Sequence, residues 1–294
     1  MPGQAKGDGH ESRFDHAAVP RGIALIRDNS DTSWEKWGED NPYYGVLADD
    51  RFRGENLNDE RKAEFLATGR RHVRRVLEMA ERRCGGMTEK RAALDFGCGV
   101  GRLVLPLAEI FEHVTGVDVS TAMLNVARSN CAERGIHNVE LKRSDDRLTQ
   151  VEGKFDFIHS YLVFQHIPVR RGEKIVAGLV DRMNDGGIMA IHLPFVCKGS
   201  RARRALHKIR RNFSPLSGLV NLARGKRWSE PFMQMNLYDM NRILRLLAER
   251  GMNDAFLEIV DAGGYVSAFV IAKKPEYPMR KVQAEHLWAA ELGS

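Results

Sequence analysis

Apolar residues recur along this chain with two different periods. Between about Asn58 and Arg83 they stand three and four apart, at Phe65, Leu66, Gly69, Val73, Val76, Leu77 and Ala80, and so share one face of a helix. Gly85 and Gly86 then supply a stop. From Arg91 to Lys273 the pattern changes. Short apolar runs (Ala92–Leu94, Val114–Val119, Val139–Leu141, Phe155–His159 and Ile188–Leu193) alternate with stretches of helical period, such as Met123, Val126 and Ala127, or Ile175, Val176, Leu179 and Val180. Such alternation predicts an α/β fold with a mainly parallel sheet and helices on both faces. Asn236 is placed to cap a later helix carrying Met240, Ile243, Leu244 and Leu247. Phe256–Val260 and Tyr265–Ile271 close the unit as a hairpin across Gly263 and Gly264, bringing the sheet to seven strands.

The flanking segments read differently. Residues 1–30 hold no sustained period and are expected to form a flexible tail, as are residues 274–294. Residues 31–90 form an N-terminal helical cap in which Trp34, Trp37, Tyr43 and Tyr44 crowd a short polar stretch. Aromatics at that density suggest a docked surface, and Trp37, Tyr43 and Tyr44 are expected to line a cleft.

With 43% hydrophobic residues over 294 positions, the chain can bury a large core. No apolar run approaches the roughly 20 residues of a membrane span, and the first ten residues hold no apolar signal core. Cys84, Cys98, Cys131 and Cys197 lack metal-type spacing. No metal is expected, and a reducing, cytoplasmic setting fits them. The net charge of +6 is local: residues 198–227 carry ten Lys or Arg and no acid, so the rest of the chain is net acidic.

The chemistry centres on Ala92-Ala93-Leu94-Asp95-Phe96-Gly97-Cys98-Gly99-Val100-Gly101-Arg102, a strand end, a glycine loop and the start of a helix. Such a loop offers backbone N–H groups to a polar ligand. Dinucleotide loops space their glycines G-x-G-x-x-G; here the glycines stand at 97, 99 and 101, and Arg102 takes the third dinucleotide position. Asp95 precedes the loop, where it could meet a cationic ligand. Asp118 closes the second strand at a distance suited to a ribose-binding carboxylate. With Ser144-Asp145-Asp146 after the third strand, the series resembles the class I S-adenosylmethionine-dependent methyltransferases, closely over 91–273 and loosely over 31–90.

That resemblance implies a Rossmann-like enzyme with S-adenosylmethionine as cofactor and S-adenosylhomocysteine as product. It places the methionine part along Gly97, Cys98, Gly99 and Gly101, its ammonium near Asp95, and the ribose on Asp118. Asp145 or Asp146 would meet the adenine, with Val119 and Met123 as apolar walls. The segment His159–Pro168 resembles the fourth motif of small-molecule members, which adds Ser160 and Gln165 to the cofactor residues. It lacks the Asn/Asp-Pro-Pro-Tyr/Phe signature of amino-group DNA methyltransferases, and no Pro-Cys nucleophile occurs. Methyl transfer needs a base only for a hydroxyl or protonated amine; His159 and His166 are the candidate catalytic residues, with His192 as a third.

The acceptor is expected to be a small molecule or a glycan- or lipid-linked group, methylated on oxygen or nitrogen. RNA methylation and a non-catalytic cofactor-binding scaffold are the alternatives. The distinguishing feature is an insert at 195–235. Ala202, Ala205, Leu206, Ile209 and Phe213 share one face of a basic helix, and Arg201, Arg203, Arg204, Lys208, Arg210 and Arg211 cover the rest. This suits a lid, a peripheral contact with an anionic membrane through 198–227, or nucleic acid. The oligomeric state is not legible.

Overall fold

The computed structural model describes residues 30–276 except Thr88, 201–208, 211–213, 224 and 226, and only the backbone of 214, 215 and 217. The two expected tails therefore lie almost entirely outside the described residues, as does most of the expected basic helix.

The cap is α1 (Ser30–Asp40), α2 (Pro42–Leu47) and the long α3 (Asp59–Cys84). Helix α3 begins where the Asn58 side chain accepts from the Arg61 N–H and ends at Gly85, whose φ of +69° an L side chain would resist. It buries Phe65, Gly69, Val73, Val76, Met79 and Ala80. Gly69 is needed for contact: a Cβ there would lie 2.1 Å from the Arg102 carbonyl oxygen.

The sheet comprises β1 (Ala92–Phe96), β2 (His113–Asp118), β3 (Val139–Arg143), β4 (Phe155–Ser160), β5 (Met183–Cys197), β6 (Asp254–Ala262) and β7 (Tyr265–Lys273). Its order is β3-β2-β1-β4-β5-β7-β6, with β1 to β5 parallel and β7 antiparallel to both neighbours. Connecting helices are α4 (Val104–Ala108), α5 (Thr121–Ala132), α6 (Val169–Asp181), α7 (Ser214–Ala223) and α8 (Met240–Glu249). Alternate strand residues divide between two cores. Leu94, Ile158, Met189 and Val270 meet α6 and α8, while Ala93, Phe157, Ile188 and Ile271 meet α3 and α4. A third cluster joins Trp37, Tyr43, Tyr44, Phe52 and Phe65 to Met123 and Val100.

Two boundaries differ from expectation. Asp239, not Asn236, caps α8 by accepting from the Asn241 N–H. Asn236 instead donates through its backbone N–H and its side chain to the Gln165 carbonyl, so a tertiary bond outcompetes the local cap. Strand β5 starts at Met183, five residues before the Ile188–Leu193 run, and passes through Gly186 and Gly187. None of the described helices is long and apolar enough to cross a membrane.

Candidate functional site

Strand order reverses between β1 and β4, and that is where a crevice opens beyond the strand ends. A cleft lined by 21 residues, among them Gly97, Gly99 and Asp118, occupies it. The glycine loop and the ends of β2, β3 and β4 form its floor, and α1 and α2 close it above.

Asp118 lines the cleft at the tip of β2. One carboxylate oxygen accepts from the Gly99 N–H and the other from the Ser120 N–H, both at 2.9 Å. Burial raises its pKa to about 6, against the pull of those two backbone donors. The loop donors expected to face a ligand are already used. Gly97 and Cys98 both donate to the Val117 carbonyl, Gly99 to Asp118, and Gly101 to the Cys98 carbonyl. All three glycines take positive φ. Their service is therefore a flat, side-chain-free floor, not an anion cradle.

Of the residues singled out from sequence, Gly97, Gly99, Asp118, Val119, Met123, Asp145, Asp146 and His166 line the cleft. Asp95, Cys98, Gly101, His159, Ser160 and Gln165 are not among the lining residues. Cys98, Ser160, Asp95 and His159 are buried beneath it. The Asp145 carboxylate is committed to its own turn, accepting from Arg147 and Thr149, which holds its pKa below the usual range. Asp146 is held by Arg171 in a two-bond pair at 2.7 Å, and Arg171 also grips Asp31 of α1.

Neither expected histidine offers a free base to the cleft. His166 Nδ1–H donates to the Gln234 carbonyl at 2.7 Å, leaving Nε2 to accept from the Gln165 amide at 2.9 Å. Burial lowers its pKa to about 4. His159 is fully buried on β4, beside Asp95 in register on β1. Its Nδ1–H donates to Asp95 at 3.2 Å, and its Nε2 accepts from His72 of α3 at 3.0 Å. His192 lies further along on β5, 5.2 Å from the Tyr161 ring, with its own pKa lowered by burial to about 4.

The cap contributes other residues than expected. Trp37, Tyr43 and Tyr44 pack into the interior cluster, and the Tyr43 hydroxyl donates to Asn130. Trp34, Gly45 and Val46 face the cleft instead, and Trp34 lies 4.8 Å from the His166 ring. Ser30, Asp31 and Arg171 of the wall were not singled out in the sequence, and Tyr161–Val163 entered only as part of the His159–Pro168 segment. Arg171 carries no local signal, since its partners are 25 and 140 positions away. Among the described residues no cluster of three or more His, Cys, Asp or Glu could hold a metal.

In the insert, the helical-wheel assignment inverts at the residues that can be compared. Ile209, read as apolar-face, is exposed, while Arg210, read as solvent-facing, is buried against Phe232 and donates to Asn221. A fixed polar partner and an aromatic face compensate the guanidinium's burial.

Residues 93–187 match the family model described as Methyltransferase domain. Relatives named ubiquinone biosynthesis O-methyltransferase include one from Colwellia psychrerythraea, 33% identical over 76 residues, which is 26% of this chain and 31% of the relative. Another, from Shewanella pealeana, is 25% identical over 169 residues, 57% and 59% of the two chains. The chain thus spans less than two thirds of the length of these relatives. Among solved structures, magnesium protoporphyrin IX methyltransferase from Synechocystis with bound S-adenosylhomocysteine superposes with a TM-score of 0.53 at 20% identity, over 85% of this chain and 98% of that one. The phosphoethanolamine methyltransferase 2 of Haemonchus contortus gives 0.51 at 19%, over 68% and 52%. These two share the fold.

Proposed function

We propose that this chain, whose core belongs to the class I S-adenosylmethionine-dependent methyltransferases, binds that cofactor in the cleft and methylates an oxygen of a small-molecule acceptor. The observation that carries the reading is a carboxylate on the cleft side of a glycine floor, with a second carboxylate buried beneath it. Asp118 is presented to the cleft by two backbone donors, and Asp95 holds a buried oxygen, Oδ2, that has no hydrogen-bond partner. The first suits a ribose diol, and the second suits an ammonium group. The bound cofactor would supply a sulfonium methyl, an electrophile that needs alignment more than activation.

The chain's own residues supply the rest. Gly97 and Gly99 let the ligand lie against the backbone, Met123 and Val119 wall one side, and α1 and α2 shield the cleft from water. Oxygen as the acceptor atom follows the names of the O-methyltransferase relatives. Ile209, Leu219, Leu222 and Trp228 are each at least half exposed, in a stretch whose sequence carries ten Lys or Arg between 198 and 227, which supports a lipid-like partner over nucleic acid. Calorimetry tests the core reading. S-adenosylhomocysteine should bind tightly and a nicotinamide dinucleotide should not; the reverse, or no binding of either, would overturn it.

A further inference from the structure

Strand β4 ends at Ser160, whose hydroxyl donates to the Phe96 carbonyl of β1 at 2.9 Å. The next three residues, Tyr161, Leu162 and Val163, form one wall of the cleft. That wall is held in a costly conformation. Leu162 has a φ of +64°, in the left-handed region that L side chains resist. Val163 presses on the glycine floor so closely that a Cβ on Gly97 would lie 2.3 Å from its Cγ2. The Tyr161 ring is fixed by neighbours from three elements: His72 of α3 at 4.0 Å, His192 of β5 at 5.2 Å and Phe269 of β7 at 6.1 Å.

The Tyr161 hydroxyl is the polar group this wall leaves unused. It makes no hydrogen bond among the described residues, and it is not sealed from solvent in a side chain that is half-buried. The other titratable side chains lining the cleft already hold partners. Arg171 pairs with Asp31 and Asp146, Asp145 accepts from its own turn, and Asp118 accepts from two backbone N–H groups. Both ring nitrogens of His166 are engaged. Trp34, His166 and Tyr161 give the cleft aromatic faces, and Val46, Val163 and Ile167 give it apolar ones, so a flat ring suits it. A phenol O–H in such surroundings donates most strongly to an ionised oxygen. None of the engaged groups is free to take a proton, so an acceptor oxygen already ionised at neutral pH fits this cleft better than an alcohol.

We propose that Tyr161 is the acceptor-binding residue of this cleft, its hydroxyl donating to an ionised oxygen on an aromatic ring, either a phenolate or an arylcarboxylate. The inference rests on the methyltransferase reading and names its acceptor class. The acceptor's proton leaves to solvent before transfer. Its oxygen then forms a bond to the methyl carbon as the carbon–sulfur bond breaks, and that electron pair stays on the sulfur of S-adenosylhomocysteine. Donation from Tyr161 occupies one lone pair of the oxygen and leaves another aligned for attack.

The test uses the full chain saturated with S-adenosylhomocysteine and three probes: 4-nitrophenol, which is substantially ionised at neutral pH, benzoate, and 4-nitroanisole, the O-methylated form of the first. Calorimetry should show the native complex binding at least one of the two anions. Tyr161→Phe removes the hydroxyl and keeps the ring. It should weaken the bound anion about tenfold or more, as for a lost hydrogen bond to a charged group, while 4-nitroanisole and S-adenosylhomocysteine stay within about twofold. The melting temperature should hold. Loss confined to 4-nitrophenol assigns a phenolate, loss confined to benzoate assigns a carboxylate, and loss of both assigns an ionised oxygen of either kind. Equal weakening of 4-nitroanisole would show a packing role and overturn the proposal. So would native anion affinities in the variant, or a native complex that binds neither anion. Failure of the native protein to bind S-adenosylhomocysteine would instead sink the methyltransferase reading.

Discussion

The Glu35 carboxylate of α1 accepts from the Thr121 N–H at 2.7 Å and the Ala122 N–H at 3.2 Å, at the first turn of α5. A residue 86 positions away thus caps the helix that starts three residues after the cleft carboxylate Asp118. The bond fastens the cap to the cofactor side of the core, where α1 also supplies Trp34 and Asp31 to the wall.

Removing that anchor should loosen the cap. Glu35→Ala is expected to cost about 1 kcal/mol of stability, the usual worth of a helix-capping acid, and to weaken S-adenosylhomocysteine by opening the cleft. Denaturant unfolding and calorimetry read the two effects separately. Native stability in this variant would show that the contact contributes nothing.

Asp118 predicts a pH dependence of binding. Its pKa of about 6 in the fold exceeds the ordinary 3.8, so its contribution to folding is complete below about 3.8 and lost as pH rises through about 6. Cofactor binding runs the other way, because the ionised carboxylate is the better acceptor for ribose hydroxyls. Affinity for S-adenosylhomocysteine should fall as pH drops from 7 to 5, and Asp118→Asn should be weaker by about tenfold or more and lack that inflection.

Buried neutral histidines predict acid lability. His166 and His192 have pKa values lowered from 6.5 to about 4, and His72 to about 2, all chiefly by burial. Their stabilising contribution is complete above about pH 6.5. It is lost as pH falls toward 4, because the unfolded chain takes up protons that the fold refuses. His166 and His192 should each forfeit about 2 kcal/mol by pH 5. Urea midpoints at pH 7, 6 and 5 would show the decline, and His166→Gln should flatten it.

The insert predicts lipid contact. Sedimentation with vesicles containing anionic lipid should retain the native protein. Leu219→Ser with Leu222→Ser and Trp228→Ala should release it, since apolar insertion and headgroup charge act together. Equal retention of the variant, or none of the native chain, would refute a membrane-facing insert.

Much of the fold was legible. The glycine loop, Asp118 and the hairpin around Gly263-Gly264 each rest on short-range rules of spacing and φ. The glycine floor of the site was legible for the same reason, although the use of its N–H groups was not, because Val117 takes two of them across β2. The cap shows where spacing fails. Four aromatics within eleven residues announced burial, but their rotation about α1 and α2 decided that Trp34 meets the cleft and Trp37 the core.

The sequence by itself determined the alternating elements, the place of the glycine loop at a strand end, and Asp118 at the tip of the next strand, because each is set by residues within one turn or one strand. Only the tertiary structure decided that His159 lies between Asp95 and His72, that Asp146 is tied through Arg171 to Asp31, and that Arg102 is buried with an unpartnered nitrogen. Those relationships join residues from different elements. Their geometry is fixed by packing of α1, α3 and α6 on the sheet, and no local period encodes which polar groups that packing will bring together or leave unpaired.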